Sequence, residues 1–252
     1  KLNLTSYEWS NTYVTSDLLL NASSVAYNNE IFIFGGYNYV GKNDTLTLYK
    51  VPETIVNYYK RDASTGQWPT TETQQLTPDG IQEDFSLAMD ASSIVVGAPG
   101  KNSVYVFNEN NLGISNLTIE YKYHDDDNGN DFGKTVTVFD DEIIVSKNNK
   151  LFHYKKDMDT TWATVVKTEL DASGANVNLT DRFGESVVMD ASSIVVGAPG
   201  LNNGKGAVFV YEMSGNEYAQ KYKLEGSDLQ SAVDDFTGSQ MGAQIAMDNG
   251  EI

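Results

Sequence analysis

The chain of 252 residues contains no cysteine and only two histidines. The lack of cysteine excludes disulfide bonds and thiolate metal sites, so the fold must be held together by its packed core. No run of about 18 apolar residues is present, which is the length that a membrane-spanning helix needs. No long segment shows the apolar spacing of an amphipathic helix, so the chain is predicted to be all-β.

Positive charge is also scarce, since 17 basic side chains stand against 35 acidic ones and the formal net charge is −18. Such a surface repels phosphate backbones and anionic membranes, which excludes nucleic acid as the expected partner. Cations and basic surfaces are the expected binding partners. Apolar residues make up 40% of the chain, and its length suits one large all-β domain or two smaller ones.

A twelve-residue segment, MDASSIVVGAPG, occurs at 89–100 and again at 189–200 without a difference. Its apolar run has further equivalents beginning at Ile31, Ile143 and Ile252, with successive spacings of 63, 49, 51 and 58 residues. Irregular periods of about 50 residues fit units of four short strands with variable loops, as in propeller blades. We divide the chain into repeats at about 20–82, 83–131, 132–182 and 183–240, with a partial repeat at 241–252.

The best-preserved unit predicts four strands, with the sequences FGESVVM (183–189), SSIVVGA (192–198), GAVFVYE (206–212) and EYAQKYKL (217–224). The residues Asp190 to Ser192 are predicted to form the first turn, because their short polar side chains can bond the local backbone. PGLNNGKG, at 199–206, supplies the second turn. The inner apolar runs are nearly unbroken, which is typical of strands covered on both faces.

The order of FG, apolar strand, GAP and GAVFVY in residues 183–215 closely resembles the FG-GAP repeat of the integrin alpha-subunit propeller and of many microbial surface proteins. Other copies depart from it. The copy at 132 keeps FG but has Val-Ser-Lys at 145–147 in place of GAP, and the copy near 83 keeps GAP but has Glu-Asp at 83–84 in place of FG. The last copy begins Met-Gly at 241–242.

The first copy, NNEIFIFGGYNYVGKNDTLTLYKV at 28–51 followed by GQW, looks more like a kelch repeat, which also builds propeller blades. The two resemblances imply a β-propeller of four-stranded antiparallel blades, either as a single domain over 1–252 or as a fragment of one. Because the family commonly builds seven blades, we expect a section of a longer chain. The alternative is a closed five-bladed ring with one reduced blade.

The segment HDDDNGND at 124–131 is the densest set of hard oxygen ligands, and calcium takes 6–8 of these. It makes Asp125, Asp127 and Asp131 the candidate calcium ligands and calcium the one candidate cofactor. The spacing is not that of an EF-hand, and in calcium-binding integrin repeats the acidic loop lies between the FG and GAP strands, where this chain has short turns. The alternative is a solvated turn between blades.

Five sequons of the type Asn-X-Ser/Thr suit a secreted glycoprotein. Their asparagines are Asn3, Asn21, Asn43, Asn116 and Asn178. Together with what the family resemblance implies, they predict a location outside the cell or on its surface.

Signals of catalysis are weak. The sequence contains no G-x-S-x-G elbow and no Walker-type loop, and His153 is predicted to be a strand residue. Carboxylates are numerous, but nothing singles out the pair that a glycosidase needs. We therefore expect no enzyme activity.

The leading hypothesis is an extracellular FG-GAP propeller that acts as a binding or adhesion module for another protein or a glycan, through loops on one face. A second hypothesis is a structural subunit of a surface filament or large assembly that joins through blade edges. A glycan hydrolase is the third and least favoured.

Overall fold

The computed structural model describes part of the chain. Backbone structure is described at 2–3, 8–9, 18–20, 23–27, 30–34, 37–42, 45–50, 56–60, 62, 64–67, 74–76, 85–90, 93–108, 119–126, 131–157, 161–165, 167–170, 177–225, 240–247 and 252. Within these ranges, side chains are described at 62, 64–67 and from residue 85 onward, except at 108, 120 and 179.

The described part of the chain is all-β, as predicted, and its N-terminal third forms three antiparallel sheets. Their strands are β1 (Leu2–Asn3), β2 (Glu8–Trp9), β3 (Leu18–Leu20), β4 (Ser23–Tyr27), β5 (Glu30–Phe34), β6 (Tyr37–Lys42), β7 (Thr45–Lys50), β8 (Val56–Lys60) and β9 (Gln74–Leu76). These sheets are A (β1-β2), B (β3-β6-β7) and the four-stranded C (β4-β5-β8-β9). In the sequence, the β6–β7 hairpin therefore lies between β5 and β8, which pair directly as the two middle strands of the four-stranded sheet.

Three further four-stranded sheets follow, each with its strands in chain order. Sheet D contains β10 (Ser86–Met89), β11 (Ser93–Ala98), β12 (Ser103–Asn108) and β13 (Ile119–His124). Sheet E contains β14 (Val136–Phe139), β15 (Glu142–Lys147), β16 (Lys150–Lys155) and β17 (Lys167–Glu169). Sheet F contains β18 (Val187–Met189), β19 (Ser193–Ala198), β20 (Ala207–Ser214) and β21 (Glu217–Glu225). One short α-helix, α1 (Leu201–Gly204), joins β19 to β20. Three 3-10 helices also occur in the described part of the chain, at Pro99–Lys101, Trp162–Thr164 and Leu179–Asp181.

The four strands predicted for the last unit are confirmed, with one difference at the start. Phe183 and Gly184 lie in a turn and β18 begins at Val187. Arg182 has φ of 54° and Gly184 has φ of 84°, so the backbone there is left-handed and cannot continue a strand.

The repeated segment has the same register in both sheets: Met89 pairs with Ile94, and Met189 pairs with Ile194. The turn that precedes β19 is closed by Asp190, whose Oδ1 accepts the Ser193 amide at 2.8 Å. Asp90 accepts the Ser93 amide at the same distance. In each turn the Asp side chain thus accepts a backbone amide hydrogen bond, as predicted from its short polar group.

The apolar core lies between the sheets. Ile143 and Val145 of β15 pack with residues of sheet D, whereas Ile144 packs with residues of sheet F. Alternate side chains of one strand thus contact two neighbouring sheets. This explains the nearly unbroken apolar runs, because both faces of these strands are covered.

The first strands of consecutive sheets lie against one another, since β4 contacts β10, β10 contacts β14 and β14 contacts β18. Residues 240–247 continue this series. Met241 forms a parallel bridge with Gly206, and Ile245 and Met247 pack against a buried valine cluster of sheet F. None of the helices in the described part of the chain is long and apolar enough to cross a membrane.

Candidate functional site at the junctions between sheets

The FG turn of one repeat packs on the GAP strand of the repeat before it. Gly133, with φ of 91°, lies against Gly97 of β11, where an added Cβ would overlap the Gly133 carbonyl oxygen. That oxygen accepts a hydrogen bond from Ser86 Oγ at 2.8 Å. Both glycines are therefore required by close backbone contact, and the FG and GAP motifs are the two halves of one junction.

The same junction recurs between sheet F and residues 240–247. Gly242, with φ of 84°, lies against Gly197, and a Cβ on Gly197 would overlap the Gly242 carbonyl oxygen. Ser186 Oγ donates to that oxygen at 2.7 Å. The two identical twelve-residue segments therefore make the same glycine contact with the turn that docks on them.

The junction between sheets E and F differs because Ser146 stands at the position of Gly97 and Gly197. The residues in place of GAP are therefore 146–148, and the sequence-based assignment of 145–147 is wrong by one residue. A Cβ added to Gly184 would lie 3.2 Å from the Cβ of Ser146. Thr135, at the position of Ser86, donates to the carbonyl of Glu185 at 3.2 Å rather than to that of Gly184. The Ser146 hydroxyl accepts the Thr135 amide at 2.8 Å. The missing GAP motif is thus accommodated by a contact displaced by one residue.

The phenylalanine of each FG turn is buried in the core. Phe132 is 1% exposed and lies 6.5 Å from Phe152. Phe183 is 2% exposed and meets Phe209 edge to face at 5.4 Å. Aromatic pairs in these geometries add to the energy of burial, so each FG turn anchors its sheet as well as docking on its neighbour.

A cleft of about 290 Å³ opens between sheets E and F, at the end where β14 turns into β15. Its charged side chains are Asp140, Asp141, Glu142, Lys155, Lys156, Asp157 and Asp190, and Tyr218 and Phe139 also line it. Lys155 is paired with Glu142, and Lys156 is paired with Asp141 at 2.9 Å. Since five carboxylates face two ammonium groups, the cleft has a negative surplus and favours a cationic group.

Glu142 joins the two sheets at the base of this cleft. Its Oε2 accepts from His153 Nε2 and from the hydroxyl of Tyr218 of sheet F, each at 3.0 Å, and its Oε1 accepts from Lys155 at 2.6 Å. Burial raises the pKa of Glu142, but hydrogen bonds from His153, Lys155 and Tyr218 outweigh it and lower the pKa to about 2. Burial and the charge of Glu142 raise the pKa of Tyr218.

His153 is confirmed as a strand residue, and it is 6% exposed. Its ring meets Tyr218 edge to face at 5.3 Å. Its Nε2 contacts Glu142 within sheet E, whereas its ring contact with Tyr218 joins sheet E to sheet F. The sequence carried no signal of this group, since its members are 11 and 76 residues apart.

The three candidate calcium ligands are placed differently. Asp125 is 8% exposed, and its carboxylate accepts from Lys147 at 2.8 Å and from Lys167 at 3.4 Å. Asp131 is partly exposed in the turn before Phe132, and Asp127 lies outside the described residues. No group of three or more potential His, Asp or Glu metal ligands occurs in the described part of the chain. The calcium site stays a prediction.

Of the five sequon asparagines, Asn178 is the one whose side chain is described. It is exposed, and its Oδ1 accepts the Thr180 amide at 3.1 Å. The backbone amide of Asn178 donates to the Asp181 carboxylate at 2.7 Å, which completes a capping box. Asn3 lies in β1 with its side chain outside the described residues, and Asn21, Asn43 and Asn116 lie outside them altogether. Glycosylation stays a prediction at all five.

Comparison with known proteins gives one family match. No curated protein matches the chain. Residues 169–211 match a family model described as FG-GAP repeat. The match runs from the last residue of β17 to Tyr211 in β20, and it includes the FG turn, β18 and the GAP strand β19. This segment of the chain is therefore an FG-GAP repeat.

Proposed function

We propose that the chain is an FG-GAP β-propeller, or a section of a seven-bladed one, that acts as a non-catalytic binding or adhesion module outside the cell or on its surface. Its partner is another protein or a glycan. The observation that carries the proposal is the FG-GAP repeat at 169–211. It is supported by the contacts between first strands, which are the arrangement expected of the inner strands of blades.

The binding surface of this module is formed by the turns at one end of the sheets, where the cleft between sheets E and F lies. Loops on a rigid sheet scaffold are the usual place for recognition residues. Asp140 and Asp157 are exposed at this cleft. The surplus of carboxylates, in a chain of net charge −18, favours a partner that presents lysine, arginine or amino-sugar groups.

The test uses the immobilised full chain, with a panel of defined glycans and a lysine-rich decapeptide as probes. Asp140→Asn and Asp157→Asn each remove one charge from the cleft, and Asp126→Asn removes one from a fully exposed position in the segment after β13. We expect saturable binding of at least one probe that both cleft variants weaken several-fold and the control variant leaves unchanged. Equal binding by all variants would reject the cleft, and cleavage of a glycan would favour a hydrolase.

A structural subunit of a surface filament is the second candidate, because of the outer strand of sheet F. β21 pairs with β20 on one side, and the described residues provide no strand on its other side. Tyr222 and Leu224 are 59% and 45% exposed on this strand. An exposed edge strand with apolar side chains is a template for pairing with another chain. Concentration-dependent fibres that Tyr222→Lys abolishes would favour this candidate.

A further inference from the structure

Lys147 occupies a position that the other repeats keep apolar. It is the last residue of β15, as Ala98 is of β11 and Ala198 is of β19. Both alanines are fully buried, and Lys147 is 7% exposed. A buried ammonium group is strongly unfavourable unless it is paired and hydrogen-bonded. Lys147 therefore requires a partner elsewhere in the fold.

That partner is Asp125, which belongs to the preceding sheet. Asp125 directly follows β13, and its amide donates to the Asn102 carbonyl of the same sheet at 3.0 Å. Its Oδ1 accepts from Lys147 Nζ at 2.8 Å. Both side chains are at least nine-tenths buried, with side-chain exposures of 7% and 8%. The pair thus joins sheet D to sheet E across their junction.

A second lysine completes the arrangement from the surface. Lys167 of β17 lies 3.4 Å from the other oxygen of Asp125 and 4.4 Å above the ring of Phe152. Its side chain is 42% exposed. Each carboxylate oxygen of Asp125 therefore has an ammonium partner from sheet E, and the charge of the aspartate is compensated within the chain.

We infer that Lys147 is a built-in counter-ion of Asp125, and that this buried pair identifies sheet E as the neighbour of sheet D. The segments 89–100 and 189–200 are identical in sequence and make the same glycine contact, with Gly133 of the FG turn and with Gly242 of the Met-Gly turn, so this contact alone does not distinguish the two turns. A buried ion pair at one junction can specify register, as buried polar groups do in coiled coils. In this proposal Lys147 and Lys167, rather than calcium, neutralise Asp125.

The test is a double-mutant cycle on the full chain, with Lys147→Met, Asp125→Asn and the two combined, measured by urea unfolding. Removing Asp125 leaves the charge of Lys147 buried without its counter-ion, and removing Lys147 leaves the buried Asp125 with only the partly exposed Lys167, whereas removing both leaves neither buried charge. We expect each single variant to lower the folding equilibrium constant at least tenfold, and the double variant to recover most of the loss. Failure of a single variant to fold while the double variant folds is the extreme form of the same result.

The matched control is Lys150 with Glu169, an exposed pair in sheet E at 2.9 Å. Lys150→Met, Glu169→Gln and their combination should combine independently within about twofold, because exposed pairs contribute little. If the effects at Lys147 and Asp125 also multiply independently, the counter-ion role is wrong. If Lys147→Met and the double variant both fail to fold, Lys147→Arg decides: a folded Arg variant upholds the role, and an unfolded one overturns it.

Two further readouts test the consequences. The unfolding midpoint of the unmodified chain should be the same in 1 mM calcium and in EDTA. A calcium-dependent rise that Asp125→Asn abolishes would overturn the metal-free assignment. After refolding at high concentration, the double variant should form a larger share of dimers by light scattering than the unmodified chain. Without the ion pair, the segments 89–100 and 189–200, which make the same glycine contact, can each accept the turn of another chain. Equal shares would overturn the role in ordering the sheets.

Discussion

Adding one methyl group at Gly197 should break the junction between sheet F and residues 240–247. The new Cβ would overlap the Gly242 carbonyl oxygen, which is backbone and is held by Ser186 Oγ at 2.7 Å. Backbone cannot move aside as a flexible side chain can. The overlap is relieved only if the turn at 241–242 withdraws from β19.

The size of the effect follows from what this withdrawal disrupts. The hydrogen bond from Ser186 contributes about 1 kcal/mol. Overpacking in a well-packed interior costs a further ~1–3 kcal/mol. The packing of Ile245 and Met247 on the valine cluster of sheet F is also weakened. We therefore expect Gly197→Ala to destabilise this junction by about 3 kcal/mol.

Amide hydrogen exchange measures the junction directly. The amides of Gln240 and Met241 donate to the carbonyls of Gly204 and Lys205 at 2.9 and 3.0 Å. In Gly197→Ala their protection should fall about a hundredfold, which corresponds to about 3 kcal/mol of local opening. Gly215→Ala is the control, because Gly215 has φ of 70° with nothing within 4 Å of an added Cβ.

The control separates steric overlap from backbone strain. Gly215→Ala should cost about 1–2 kcal/mol through its left-handed backbone alone and should leave the protection of Met241 unchanged. Unchanged protection of Gln240 and Met241 in Gly197→Ala would refute the account of the FG-GAP junction.

Three further predictions concern the same sheets. Glu142→Gln should flatten the pH dependence of the unfolding free energy in acid. The pKa of Glu142 is lowered from 4.5 to about 2 in the fold. The stability that the Glu142 carboxylate contributes is therefore present above pH 4.5 and is lost as pH falls toward 2. Titration of unfolding free energy from pH 2 to 6 checks this, and an unchanged slope counts against the bonds of Glu142. Asp190→Ala should destabilise the turn before β19 by about 1 kcal/mol and Asp190→Asn by much less, because the amide keeps the acceptor oxygen; equal losses in urea unfolding would contradict the turn assignment. Ser146→Gly should cost only about 1 kcal/mol, the hydrogen bond to the Thr135 amide, and a loss as large as that of Gly197→Ala would mean that the displaced junction is misread.

The strands were predictable because their signals are local. In residues 183–225, β-branched runs, the Asp turn and the Gly- and Asn-rich segment before β20 each specify a strand or its end. The Gly- and Asn-rich segment is an example, because Asn202 and Asn203 have φ of 53° and 60°. Asparagine tolerates this left-handed backbone better than most residues. The start of β18 was predicted too early, because the sequence does not show that FG forms a turn.

The contacts between sheets were not predictable from local signals. Glu142, His153 and Tyr218 come from two sheets, and their meeting depends on how those sheets pack. Lys147 did leave a signal, since a lysine at the end of the run EIIVSK replaces an alanine of GAP. The sequence does not identify Asp125 as its partner, because the composition of HDDDNGND indicates a candidate calcium site and the pairing depends on how sheets D and E pack.

The most direct test of the central claim, that FG turns dock on GAP strands and so place the first strands of the sheets side by side, is a crystal structure of the full chain. The account predicts that the hydroxyls of Ser86 and Ser186 bond the carbonyls of Gly133 and Gly242, with β10, β14 and β18 adjacent in that order. Four-stranded sheets that meet without these bonds, or in another order, would contradict it.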